Sequence, residues 1–567
     1  MSDLPRTESS FLASSPSPSP VRRGVLDWIE WIGNKLPDPA TLFLLGTLLV
    51  MALSHIGHVQ GWTVMESLPK PVMEEVVGAD GEVIMREVLD PATNKPQIVW
   101  KETGNQFSAK SLLTKDGFFW AIKSMVKNFV DFPPLGIVLV GMLGIGIAER
   151  TGMIGAGLKA FMLVVPSFLL TPAMVFIGIM SSLATDAGYV VLPPLAAALY
   201  KSVGRSPLAG LAAVFAGVSA GFNANLLITG LDPMLAGFTE TGARVIEHDY
   251  AVNPACNWWF MMASTVLITL TGWAVTSWFV EKRLSMKPPE EGGPLRPSAD
   301  DLVQQRLTPT EIKGLTAAFF AFVITFGSFL FLIFWSDGAL HGQGERFARW
   351  AESIVPMLFF VFIIPGIAFG IATKKFRNDK DVARMLIDTM AAMAPIIVLA
   401  FFAAQFIEYF KYSGLDRMLA MAGGQALGHA QMSPGMLIVA FIMLTLVFNL
   451  FMGSMSAKYA MFAPIFVPMF MMVGIAPELT QAAYRIGDST SNIITPLNAY
   501  LIIILVFMQK FVPKGGMGTL ISTMLPYTIV FTIVWTVFLL LWMQTGQPLG
   551  VNGELWYDPA AASAVTP

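Results

Sequence analysis

Apolar residues in this chain fall into windows of about 20, the length that crosses a hydrocarbon core of roughly 30 Å as a helix. The strand-like alternation of a membrane barrel is absent. The pattern predicts an all-α polytopic membrane protein with about nine transmembrane helices. Not every window is intact. Between residues 116 and 280, and again between 385 and 515, the apolar runs are cut by prolines, glycines and charges such as Pro133-Pro134, Asp186, Pro193-Pro194 and Asp232-Pro233. Backbone broken at membrane depth must be buried in protein or line a cavity. The cuts therefore predict two re-entrant hairpins beside the full spans.

The polar stretches divide the chain. Residues 1–24 form a Ser/Pro-rich tail of disordered composition, without the start or cleavage site of a signal peptide. A first span occupies 25–61, an acidic loop 62–115, the first broken region 116–280, and a basic linker 281–313. A scaffold hairpin and basic loop follow over 314–384, then the second broken region 385–515, and a last span with an acidic tail over 516–567. Arg22, Arg23 and Lys35 precede the first span, and Lys374, Lys375, Arg377 and Lys380 crowd a later loop. The positive-inside rule then places the N-terminus in the cytoplasm and the C-terminus outside.

The two broken regions are copies of one another. A shift of 270 residues pairs Asp186 with Ser456, Tyr189 with Tyr459, Pro194 with Pro464, Gly204 with Gly474, Pro207 with Pro477, Gly217 with Gly487 and Ser219 with Ser489, without a gap. The first copy starts from the outer loop and the second from the inner basic loop, so they are inverted repeats. Inverted repeats with discontinuous helices mark secondary transporters, whose sites lie near the midplane at the repeat interface.

Composition narrows the function classes. With 54% hydrophobic and 13% charged residues the 567-residue chain is no ordinary soluble protein. A net charge of -3 without a basic aromatic patch gives no nucleic-acid partner. One cysteine, Cys256, and scattered histidines provide neither a disulfide nor a metal centre, and no cofactor is expected. No phosphate-cradling Gly/Lys loop supports an ATP-driven pump. An intramembrane hydrolase is a distant alternative, because Ser456 has no histidine to serve it.

Ionisable groups at membrane depth are functional candidates by default. Asp186, amid Ser181, Ser182 and Thr185, suits a proton carrier or a sodium ligand, or caps a half-helix. Asn223, Asn225 and Asp232 follow a glycine-rich break and offer oxygens to a coupling ion or to freed backbone. A sodium ion held by Asp186 and Asn223 and a proton both remain open. In the second copy Arg485 and Asp488 share a helix face and either neutralise one another or serve an anionic substrate. Asn449, Ser456 and Tyr459 surround a further break and either receive a substrate or pack helices closely.

The residues 33–39, Thr185-Asp186-Ala187-Gly188-Tyr189, and the stretches 221–237, 453–468 and 485–496 resemble the p-aminobenzoyl-glutamate transporter (AbgT) family. The resemblance implies a bacterial inner-membrane protein, a homodimer of nine-span protomers with two re-entrant hairpins and a basin open to the cytoplasm. It also implies a link to folate metabolism and, in some members, sulfonamide efflux. Functional positions carried over fall on Asp186, Asn449, Ser456, Tyr459, Pro477, Arg485, Asp488 and Pro496. Tyr459 stands where the family usually has Trp, a smaller stacking surface. The expected function is ion-coupled transport of p-aminobenzoyl-glutamate or a related aromatic dianion, with proton-driven sulfonamide efflux as the alternative. The partners expected are that small anionic aromatic substrate, membrane lipid and a second copy of the chain. Asp186→Asn is expected to abolish gradient-driven uptake into proteoliposomes; unchanged uptake would remove Asp186 from the coupling site.

Overall fold

The computed structural model describes residues 39–71, 73–77, 83–87, 98–184, 187–296, 307–430, 432–495 and 498–558. The 1–24 tail lies outside them, as do Asp186 and Pro496. The first helix, α1 (Pro39–Gln60), leads into an antiparallel ribbon in which β1 (Thr63–Pro71) pairs with β4 (Ile98–Ser108) and β2 (Met73–Val77) with β3 (Val83–Glu87). Within the 62–115 loop the described residues thus include four strands, where an all-α chain was expected. Its high acid and β-branched content pairs locally and needs no apolar window, so hydropathy is blind to it.

Beyond the ribbon the first repeat runs through α2 (Lys115–Val130), α3 (Pro133–Arg150), α4 (Met153–Val164), α5 (Leu170–Met180), α6 (Ala187–Ser202), α7 (Pro207–Phe215), α8 (Leu231–Ala243) and α9 (Trp258–Ser285). Two long apolar helices intervene, α10 (Pro309–Phe334) and α11 (Ile354–Ala372). Thr308 and Glu311 cap α10 reciprocally, satisfying donors that would otherwise be stranded at the helix start. The second repeat then follows as α12 (Asp379–Ala392), α13 (Ala394–Ser413), α14 (Leu415–His429), α15 (Pro434–Asn449), α16 (Met455–Met471), α17 (Pro477–Ser491), α18 (Ala499–Gln509) and α19 (Met517–Thr545). Eight helices of one copy match eight of the other in order. Among the described residues seven continuous helices are long and apolar enough to cross a membrane: α1, α2 with α3, α9, α10, α11, α13 and α19.

Short half-helices fill the rest. Their starts are written locally: Pro207, Pro434 and Pro477 each occupy the first helical position, where a missing N–H costs nothing, and Ser206, Ser433 and Ser454 cap α7, α15 and α16. The pair α5–α6 has its open end beside Glu281 and Gly292, through Arg205 and Ser206. The pair α15–α16 opens toward the ribbon, where Met472 shares an apolar cluster with Val64 of β1, Ala476 N–H donates to the Leu555 carbonyl and the Tyr557 hydroxyl donates to Glu247. The two pairs therefore enter the molecule from opposite ends. Each repeat also lends a half-helix to the other, since α8 packs on α16 and α18 on α6.

Two register-matched glycines set how closely the half-helices approach. A Cβ on Gly217 would meet the Val175 carbonyl oxygen at 2.2 Å, and one on Gly487 the Ile442 carbonyl oxygen at 2.5 Å. The α5–α7 and α15–α17 crossings thus rest on backbone-to-backbone contact, the small-residue packing that membrane helices use in place of a hydrophobic drive. Gly217→Ala and Gly487→Ala are each expected to destabilise by about 1–3 kcal/mol. Thermal melts in detergent check this, with Gly155→Ala and Gly327→Ala, where the added methyl meets nothing within 4 Å, as silent controls.

Candidate functional site

Breaking four helices near one level brings their loose ends together. The turn between α5 and α6, the turn between α15 and α16, the 221–230 break between α7 and α8, and Asn492 at the end of α17 meet around a cavity of ≈ 260 Å³. Ser181, Ser182, Tyr189 and Phe222 line it from the first repeat, Ser456 and Asn492 from the second. Apolar side chains such as Val138, Met142, Ile145, Met234 and Ile396 make up most of its wall, serine hydroxyls and the Asn492 amide lie among them, and no charged side chain among the described residues lines it.

The charges lie in a buried polar layer behind the cavity, and they pair across the elements. Arg485 and Asp488 share a face of α17 but each bonds elsewhere. Arg485 Nη1 donates to Asp232 Oδ1 at 2.6 Å and Nη2 to the Asn223 carbonyl at 2.9 Å. Asp232 Oδ2 accepts from Thr229 N–H and Thr229 Oγ1. Asp488 Oδ1 instead pairs with Lys458 Nζ at 2.7 Å, with both side chains at most 3% exposed. The intrahelical neutralisation left open by the spacing is therefore replaced by two crossed pairs, one joining the repeats and one inside the second. Geometry decides this: three residues apart, two side chains lie on one face, yet each has a nearer partner on a facing element.

Amides stitch the layer together. Asn223 donates to the Arg485 carbonyl at 3.1 Å and to Ser489 Oγ at 2.7 Å, while its Oδ1 is buried and accepts no hydrogen bond among the described residues. Asn449 donates to the Asp488 carbonyl at 2.7 Å and Ser491 Oγ at 2.9 Å, and accepts from Lys458. Asn225 accepts from Ser182 at 2.7 Å, tying the first hairpin turn to its neighbouring break. Asn498 donates to Ser219 and to the Asn492 carbonyl.

Of the substrate residues read from the sequence, Ser456 lines the cavity. Asn449, Arg485 and Asp488 belong to the layer behind it. Tyr459 is fully buried; its ring lies 4.2 Å from that of Tyr484 and its hydroxyl 2.7 Å from Thr239, which donates to Gln481. Pro477 begins α17 near the ribbon end. Of the coupling-ion residues, Asn223, Asn225 and Asp232 are brought into the network, whereas Asp186 lies outside the described residues, as does Pro496. The sequence reading gave Lys458 no role, although an ionisable residue between Ala457 and Tyr459 carries the same signal as Asp186. Asn498 has no role in that reading either, because a lone amide carries no pattern of its own.

The chain matches the sequence model of the AbgT transporter family over residues 24–557. It belongs to the AbgT family. It is 31% identical over 543 residues to the p-aminobenzoyl-glutamate transport protein of Escherichia coli (strain K12), covering 95% of this chain and 98% of that protein. Among solved structures, the Alcanivorax borkumensis YdaH transporter is similar at 34% identity and TM-score 0.79, covering 91% of this chain and 100% of that one. Neisseria gonorrhoeae MtrF, described with a class of antimetabolite efflux pumps, is similar at 38% identity and TM-score 0.79, covering 91% and 97%. This AbgT-family chain is therefore a membrane transporter and not an enzyme.

The interrepeat pair carries a stability prediction. Asp232→Asn removes the charge partner of the buried Arg485 and is expected to cost about 3–5 kcal/mol. Adding Arg485→Met to Asp232→Asn should recover part of that loss in thermal melts. Simple addition of the two single effects would disprove direct coupling.

Proposed function

We propose that this protein is an ion-coupled secondary active transporter that carries p-aminobenzoyl-glutamate, or a related aromatic dianion, across the bacterial inner membrane by alternating access. In this reading nine spans and two re-entrant hairpins make up each protomer of a homodimer, with the N-terminus cytoplasmic and the C-terminus periplasmic. The observation that carries it is the meeting of the α5–α6 turn, the start of α16 and the helix breaks of both repeats at one mostly apolar cavity edged with serine hydroxyls and an amide, with the two helix pairs arriving from opposite ends. A site closed from each side by an element of a different repeat has two gates, and rocking one repeat against the other opens them in turn. The 31% identity to the Escherichia coli p-aminobenzoyl-glutamate transport protein supports the substrate.

Ser456 meets the substrate directly at the cavity wall. Arg485 Nε is buried without a partner among the described residues, and this donor serves a substrate carboxylate once movement of the layer brings it to the cavity. The Tyr459 ring is covered by Tyr484, so stacking on an aminobenzoyl group requires Tyr484 to turn aside. Coupling-ion roles fall to Asp186, Asp232, Asn223 and Asn225, with sodium or a proton as the ion, and to Asp488, with a proton as the ion. The free Asn223 Oδ1 supports an oxygen-bound cation at that point.

Export of sulfonamide-like antimetabolites is the second reading, favoured by the 38% identity to MtrF. It uses the same residues in the opposite direction. Labelled p-aminobenzoyl-glutamate in proteoliposomes, with sodium and proton gradients imposed separately, should show saturable flux that follows one gradient; flux indifferent to both overturns coupling. Raised sulfonamide tolerance in cells carrying the protein would turn the assignment to export. Ser456→Ala removes one hydrogen bond and should raise the half-saturating substrate concentration by about 2- to 10-fold.

A further inference from the structure

Lys458 has no charged counterpart in the first repeat. Moving 270 residues back from Lys458 and Asp488 reaches Gly188 and Val218. Those positions are neighbours too, since a Cβ on Gly188 would lie 3.5 Å from Val218 Cγ1. The shared scaffold therefore closes at this point without an ion pair. In the second repeat the same place holds a full positive charge at 0% side-chain exposure. It also sits in the first turn of α16, where the helix dipole opposes a cation. Neither packing nor helix electrostatics calls for a lysine here.

What surrounds the ammonium is a set of oxygens. Lys458 Nζ donates to Asp488 Oδ1 at 2.7 Å, to Asn449 Oδ1, and to the Met452 carbonyl at 3.2 Å. These are a carboxylate, an amide carbonyl and a backbone carbonyl at a helix break, drawn from α17, α15 and the turn before α16. Unwound carbonyls and half-helix ends are what discontinuous membrane helices present to sodium, and hard cations select oxygen ligands of this kind. An ammonium has three N–H donors, and each has found one of the three oxygens.

We propose that the Lys458 ammonium is the resident, tethered cation of the second repeat, filling a three-oxygen site that would otherwise take a sodium ion. The inference rests on the ion-coupled reading for its meaning in transport. Sodium does not enter at Asp488, and any sodium coupling is left to the first-repeat group that includes Asn223. The tether also fixes the stoichiometry at this site: the charge travels with α16 and never leaves the protein.

The test is a sodium titration of melting temperature on the purified full-length protein in detergent, with choline chloride holding ionic strength constant. Lys458→Ala should acquire a saturable sodium-dependent rise of a few degrees, and adding Asp488→Asn should abolish it. Wild type should give the same sodium response as Asp488→Asn alone. A folded Lys458→Ala protein with no sodium response overturns the proposal. So does sodium-22 binding to wild type that is lost in Asp488→Asn. If Lys458→Ala folds only when sodium is supplied during expression and extraction, the site has been refilled and the proposal stands; failure to fold with sodium present overturns it. The titration requires no flux, so gradient-independent transport by wild type would remove the coupling reading and leave this measurement intact.

Discussion

A helix broken inside hydrocarbon strands backbone donors and acceptors where no water can reach them, and each stranded group costs several kcal/mol. The architecture of this protein follows from meeting that constraint four times at one level. Asn225 and Ser182, Asn498 and Ser219, Asn223 and Ser489, and Asn449 and Ser491 all bridge a break to a neighbouring helix. Because every break leans on groups from another element, none can be rebuilt alone. The polar layer is thus at once the seal of the broken helices and the wall behind the cavity.

Charge enters this layer asymmetrically. The first repeat contributes Asp232 and the second contributes Arg485, Lys458 and Asp488, while the register-matched positions of the first copy hold Phe215, Gly188 and Val218. Among the described residues of this layer, two copies of one scaffold have diverged into a half that supplies a single charge and a half that supplies three. Such pairs seldom add net stability in low dielectric, though losing one partner is costly. That one pair joins the repeats and the other lies within the second copy alone argues that they were kept for what they do during transport. The Arg485–Asp232 pair crosses the repeat interface, so motion of one repeat against the other must load or relieve it. The Lys458–Asp488 pair lies within a repeat and can move as a unit.

Much of this was legible along the chain. The 270-residue shift matched the broken regions of the two copies because proline and glycine have fixed backbone roles, and Pro194 with Pro464 or Gly217 with Gly487 leave the same mark in both copies. The broken windows predicted discontinuous helices, since only such breaks put Asp186 or Arg485 amid hydrocarbon. The candidate list reached Asn223, Asp232, Asn449, Arg485 and Asp488, which the fold gathers into one network. The ribbon at β1–β4 escaped, as strand pairing outside an apolar window leaves no hydropathy signal.

Sequence by itself determined the class of protein, the repeat, the breaks and part of the polar cluster, because these depend on residue type and spacing along one dimension. Only the tertiary structure decided who pairs with whom. Arg485 and Asp488 are adjacent on a helix, yet one bonds Asp232, 253 residues away, and the other bonds Lys458. A buried charge takes the partner that satisfies it at contact distance, and contact across inverted repeats is set by how the halves interleave. The same packing placed Ser456 at the cavity and turned Tyr459 inward against Tyr484, a choice that no local pattern encodes.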